Sequence, residues 1–336
     1  MICIQPNSYL STPDFLLYAN HFSGLLSIPT HIFGAYCILF KTPPRMISVK
    51  WSLFQLHICT FSVDFAMSIL TTPFIVMPLL AGYPLGVLSF HGVSAAFMSY
   101  FMVVIIRVMG ISIVGIFENR YLVLSPYESL LKRSRYFRLV INYIIIFTHF
   151  LPTYLTVPED QGPGKAFIIE QLPCLSEEVK NSPLVVINEH PLITNLTTTT
   201  VIIFLSLQVV LFFQQTRTSL KQYNQRLSEH TLELQKKLVK ALFLQLLIPL
   251  IILIFPLVYC GTAVLLWYHN QALNNISFLF ISFHGFFSTV VMLLIHAPYR
   301  EEVIRLIRRK GNFVDLSVVH PKPTTDASTN VVGVVN

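Results

Sequence analysis

Two fixed charges interrupt long apolar runs: Asp64 within Trp51 to Leu80, and Arg107 within about Val93 to Phe117. A charge at bilayer mid-depth costs at least ~2.5 kcal/mol on insertion scales, so it is a functional candidate by default. Asp64 lies fourteen residues after Lys50, and Arg107 thirteen before Arg120. At ~1.5 Å per residue both are about 20 Å into a membrane. Adjacent antiparallel helices would bring acid and base to one depth, where each offsets the other's desolvation. The expectation is an Asp64–Arg107 pair that either sets helix register alone or takes part in switching or ligand binding. Hydrolytic or metal chemistry finds no support. His57, His149, His284 and His296 are scattered, and His-Glu-x-x-His, Gly-x-Ser-x-Gly and phosphate-loop motifs are absent. No enzyme, cofactor or metal is expected, and His284-Gly285 reads as a helix contact.

The elements that hold these residues follow from composition. The chain is 54% hydrophobic and only 12% charged, against about 25% charged in soluble domains. Seven windows are apolar enough to span a ~30 Å hydrocarbon core: Phe15 to Phe40, Trp51 to Leu80, about Val93 to Phe117, about Leu139 to Val157, Leu196 to Phe213, Ala241 to Tyr268, and about Asn275 to Pro298. Gly82-Tyr-Pro-Leu-Gly86, between the second and third, reads as a short turn. Two-residue alternation is missing, so the spans are helices. The expected fold is an all-α membrane protein, a seven-helix bundle over 15–298. An outer segment 1–14, a juxtamembrane helix 299–311 and a flexible tail 312–336 complete it.

Lys and Arg orient the bundle. Twenty of the 23 fall in loops on one side and two, Lys165 and Lys180, on the other, with Arg107 inside. Basic loops stay cytoplasmic, which places the amino terminus outside and the carboxyl terminus inside. The net charge of +7 then reflects the anionic inner leaflet and calls for no nucleic acid. Residues 1 to 14 lack a basic leader, so segment one is expected to act as an uncleaved signal anchor.

Outside, Pro158 to Asn195 carries six acidic residues against two lysines, either a hydrated loop or an acidic lid over a ligand. Cys3 and Cys174 are the cysteines placed clearly on the oxidising side, which leaves open either free thiols or a Cys3–Cys174 bridge. Asn195 and Asn275 begin glycosylation sequons, each abutting a helix end.

At the inner end of segment three stands Glu118-Asn119-Arg120-Tyr121. It resembles the acid-Arg-Tyr signature of rhodopsin-like G-protein-coupled receptors, with the acid displaced by one residue. The usual helix-seven Asn-Pro-x-x-Tyr is absent. "PFIVMPLLAGYPLG" (Pro73 to Gly86), "ENRYLVL", "LPCL" (Leu172 to Leu175) and "HGFFSTVVMLLIHAPYR", with its His284, Gly285, Ser288, Thr289, Pro298, Tyr299 and Arg300, look like the nematode serpentine chemoreceptors, most like class H, over segments two to seven. The resemblance implies a plasma-membrane receptor, usually on sensory cilia, that binds a small environmental molecule and signals through a heterotrimeric G protein.

Residues 214 to 240 hold no Gly or Pro, so helices five and six are expected to extend past the membrane. Pro249 and Pro256 kink helix six, as a hinge or as packing only. A hinge would expose Asn119, Arg120, Tyr121, Lys236, Lys237 and Lys240 to the G protein. A ligand-gated channel or transporter is the alternative, although no repeat or filter sequence supports it. After Pro298, with Tyr299 at the interface, Val303, Ile304, Leu306 and Ile307 share one side of a short helix ended by Gly311 and lying on the inner leaflet.

Overall fold

The computed structural model describes residues 2–3, 8–125, 128–188, 191–222 and 229–316. After strand β1 (Ile2–Cys3) come helices α1 (Pro13–Phe40) and α2 (Ile47–Phe65), the latter prolonged by a π-helical turn at Ala66–Leu70. Strands β2 (Pro73–Val76) and β3 (Leu80–Pro84), the short α3 (Val87–Phe90) and the long α4 (Ala95–Leu124) follow. Next are α5 (Glu128–Thr148), α6 (Leu151–Leu155), α7 (Gly162–Gln171), α8 (Glu177–Asn181), β4 (Val185–Asn188) and α9 (Pro191–Gln222). The chain closes with α10 (Glu229–Leu265), β5 (Tyr268–His269), α11 (Gln271–Ile295) and α12 (Ala297–Leu316). Among the described residues, seven helical segments, in α1, α2, α4, α5 with α6, α9, α10 and α11, are long and apolar enough to cross a membrane.

Local chemistry sets several ends. Thr12 caps α1, its Oγ1 accepting the Phe15 amide at 3.1 Å, with Pro13 and Asp14 in the favourable first turn. Ser94 and Asn270 cap α4 and α11 in the same way. The start of α2 has no side-chain cap. Helices α9 and α10 run 32 and 37 residues, well beyond the ~20 needed for a span, in keeping with the uninterrupted sequence there. Pro249 and Pro256 lie buried within a continuous α10.

The end of the bundle that carries the strands departs from the sequence reading. Segment two does not stay helical to Leu80. It stops at Leu70, Thr72 takes a left-handed φ of 37°, and the chain enters a hairpin in which β2 pairs antiparallel with β3, and β3 with β4. Pro73 opens the strand where no helical amide is available, and alternate residues of both strands are buried. The Leu85 and Gly86 amides return to the Thr72 and Thr71 carbonyls, each at 3.0 Å. Gly86 is needed there, since a Cβ would lie 2.5 Å from the Leu70 carbonyl oxygen. Phe74, Leu79 and Tyr83 pack on Leu16, Ile168 and Val186 in a core of their own. The long loop after α6 is thus folded onto the hairpin, with Glu170, Glu177 and Glu178 exposed on it.

Beneath this cap the main core joins α1, α2, α4, α10 and α11. At the opposite end of the bundle His296 adopts an extended ψ of 111°, which breaks α11 and lets α12 begin. Gly311 does not stop α12, which continues to Leu316. Tyr299 is wholly buried instead of lying at the interface, because its hydroxyl finds Thr42 Oγ1 at 2.7 Å. Residues 317–336 of the tail lie outside the described residues.

Candidate functional site

Asp64 is 1% exposed and sits where α1, α2 and α11 meet. Its Oδ1 accepts the Gly285 amide at 2.9 Å, and its Oδ2 lies 3.2 Å from His31 Nε2. The other ring nitrogen of His31 lies 3.0 Å from Thr289 Oγ1, and the His31 carbonyl is 2.9 Å from His57 Nε2. With Asp64 as acceptor, one assignment satisfies every group: Thr289 donates to His31 Nδ1, and His31 Nε2–H donates to the carboxylate. Gly285 permits this approach, since a Cβ there would stand 2.5 Å from the Asp64 carboxyl atoms. His284, 8% exposed, is beside the same carboxylate. Ser288 and Thr289 line a chamber of about 10 Å³ with His57, Thr60 and Gln245, room for about one water. The motif residues His284, Gly285, Ser288 and Thr289 therefore converge on one polar centre.

The expected Asp64–Arg107 pair does not form. Arg107 Nη1 donates to the Val103 carbonyl at 3.0 Å, and its Nε is buried without a partner. Equal depth was not enough, because rotation about the helix axis decides contact. Gln55 and Cys59 turn toward Ser112 of α4. Asp64 comes five residues after Cys59, about 140° further round at 3.6 residues per turn, so it faces α1 and α11.

Between Asp64 and the β2–β3 hairpin lies a cavity of about 270 Å³, near the lower end of small-molecule sites. The β2–β3 hairpin and Ile187 roof it, while Ala95 to Ile106, Thr194 to Thr198, Phe278 and Ile281 contribute to its walls. None of its lining residues is charged. Met67 and Ile281 border it one turn nearer the hairpin than Asp64 and Gly285, so the cavity floor and the polar centre share helices.

Both sequon asparagines turn inward. Asn275 is 1% exposed and its Nδ2 donates to the Leu10 and Thr12 carbonyls. Asn195 borders the cavity with its Nδ2 buried. A glycan needs that nitrogen free in solvent, so treatment of the cell-surface protein with an amidase specific for N-glycans is expected to leave its gel mobility unchanged; a downward shift lost in Asn275→Gln would overturn this packing. Cys174 is disulfide-bonded, while Cys37, Cys59 and Cys260 are free. The side chain of Cys3, the candidate partner, lies outside the described residues. Its backbone pairs with His269, whose Nδ1 is 2.6 Å from the Met77 carbonyl.

At the end of the bundle away from the hairpin Arg120 is 1% exposed. Its Nη2 donates to Ser48 Oγ at 3.0 Å, while Nε and Nη1 are buried without partners. Asn119 Nδ2 donates to the Ser48 carbonyl at 2.7 Å, and the Tyr121 ring leans on Phe212. Glu118 is held by Arg135, at 3.3 Å, and by Arg138 of α5. Lys236, Lys237 and Lys240 are exposed on α10. His296 Nε2 meets Gln245 Oε1 at 2.9 Å, tying α11 to α10. Arg300 Nη1 donates to the Leu294 carbonyl, and Lys41 and Arg305 both pair with Glu302. His31, Gln245 and Ser48 were not singled out from sequence, although a His and a Gln inside apolar runs are polar signals of the same kind as Asp64.

The model of the family described as "Serpentine type 7TM GPCR chemoreceptor Srh" matches residues 11–309. A relative from Caenorhabditis elegans, "Serpentine receptor class H-72", is 26% identical over 316 residues, which cover 89% of this chain and 87% of the relative.

Proposed function

Since this chain belongs to the Srh family of serpentine seven-transmembrane chemoreceptors, we propose that it binds a small, uncharged, mainly apolar molecule in its outer cavity and activates a heterotrimeric G protein at its inner face. The observation that carries the reading is the cavity itself, roofed by the hairpin and free of charged lining. Its floor leads, through Asp64, His31 and Thr289, to the chamber at Gln245 and the Gln245–His296 contact. A ligand shifts an equilibrium only through its differential affinity for two states. Movement of α10 about Pro249 and Pro256 would alter the Gln245 contact and release Arg120 to the partner, beside Asn119, Tyr121, Lys236, Lys237 and Lys240. The disulfide at Cys174 supports an oxidising outer side, and the Lys and Arg distribution supports an inner face at Arg120. The site of display is the plasma membrane of a sensory neuron, at its cilium.

Filling the cavity tests this. Ser99 lines it, and its hydroxyl bonds only the carbonyl of Ala95, one turn back in its own helix, so Ser99→Phe removes volume with little other loss. In cells expressing a promiscuous Gα and exposed to a panel of volatile and small-metabolite ligands, Ser99→Phe should raise the half-maximal concentration of any active ligand at least about tenfold, a loss of ~1.4 kcal/mol. Unchanged potency at equal surface level would remove the cavity from the account.

A further inference from the structure

Ser48 is exposed at the start of α2, yet its Oγ is the acceptor for Arg120, which is among the most deeply buried charged residues of the chain. Two further Arg120 donors, Nε and Nη1, point at nothing. The first turn of α2 has no side-chain cap, and its Ile47 amide donates to the Pro44 carbonyl of the preceding 3-10 turn. Arg45 stands three residues before Ser48, in the 3-10 turn Pro44–Met46 that leads into α2. An exposed hydroxyl with a basic residue at that spacing, held against an under-satisfied guanidinium, fits one modification.

We propose that Ser48 is a phosphorylation site for a basic-directed serine/threonine kinase, and that phosphoserine there clamps Arg120 in its inward position and silences coupling. In the transfer, Ser48 Oγ attacks the γ-phosphorus of ATP, the bond to the departing ADP oxygen breaks, and the hydroxyl proton passes to a carboxylate base of the kinase. Fraying of the uncapped first turn presents the segment to that enzyme. Once attached, the phosphate supplies three acceptor oxygens. Arg120 Nη2 keeps its contact, and Nη1 or Nε gains one in the two-pronged geometry arginine favours. Asn119, bonded to the Ser48 carbonyl, keeps α4 and α2 in register for it. The inference rests on the reading of this end as the cytoplasmic, coupling face.

The test uses the full-length receptor in lipid nanodiscs, treated with ATP and the catalytic domain of a basic-directed kinase. Peptide mass mapping is expected to find phosphate on Ser48. The phosphorylated receptor should unfold at a temperature a few degrees higher than the untreated one, and Arg120→Gln should remove that gain. Arg120→Lys, which keeps a charge without the fork, should retain part of it and serves if the glutamine variant does not fold. Nucleotide exchange on Gα should fall about tenfold on phosphorylation, the bias that one charge-assisted bond places on a two-state equilibrium. An unmodified Ser48 would overturn the proposal, as would a phosphorylated receptor of unchanged unfolding temperature or a gain that survives in Arg120→Gln. A gain that depends on Arg120 without any receptor-driven nucleotide exchange upholds the clamp and sinks the receptor reading instead.

Discussion

Gly285→Ala should reduce receptor at the cell surface at least about tenfold. Its new methyl group would stand 2.5 Å from Cγ, Oδ1 and Oδ2 of Asp64, and α11 cannot withdraw without losing the Gly285 amide bond to Oδ1. Overpacking of this kind costs about 1–3 kcal/mol, and an unsatisfied buried polar group adds about 1–3 kcal/mol. Together these approach the whole margin of a marginally stable domain. Flow cytometry of an amino-terminal tag on intact cells measures the loss. Asp64→Ala in the same chain removes the atoms that clash, so the double variant should recover part of the surface signal. Exchanging the two intramembrane charges, Asp64→Arg with Arg107→Asp, should recover none, because Arg107 does not share the site.

A second large effect is expected at Glu118, whose carboxylate is 2% exposed and paired with two arginines that are each about one-third exposed. Removing both as Arg135→Met with Arg138→Met leaves a buried, uncompensated charge, at a cost of about 3–5 kcal/mol. Either single change should cost far less, since the other guanidinium remains. Adding Glu118→Met to the pair removes the stranded charge and should restore most of the lost stability. Thermal unfolding of the purified receptor decides between this and additive losses, which would mean that the three side chains do not act as one clamp.

The seven spans were legible because each is an apolar run longer than any soluble helix needs. The hairpin at Pro73 to Pro84 was not. A strand buried beneath a folded loop has the same unbroken apolar composition as the end of a membrane helix, and only Pro73 and the paired glycines hinted at the change. At the polar centre, the His-Gly and Ser-Thr motif was visible as a pattern, whereas its target was not. Sequence fixes depth along a helix more readily than rotation about it, so Asp64 was matched with Arg107 at equal depth while its true partners, His31 and Gly285, lay on other faces. Gly311 was read as a helix stop from residue type alone. Glycine tolerates helix at a cost of about 1 kcal/mol, and α12 runs through it.

The central claim is that an occupied outer cavity is read at Arg120 by a G protein. Its most direct test is ligand-evoked nucleotide exchange on purified Gα, measured with wild-type receptor and with Arg120→Ala at matched amounts in nanodiscs. The account predicts exchange that rises with an uncharged ligand and is lost in Arg120→Ala while ligand binding persists. Exchange unchanged by that substitution, or a ligand-evoked ionic current that survives without any G protein, would contradict it.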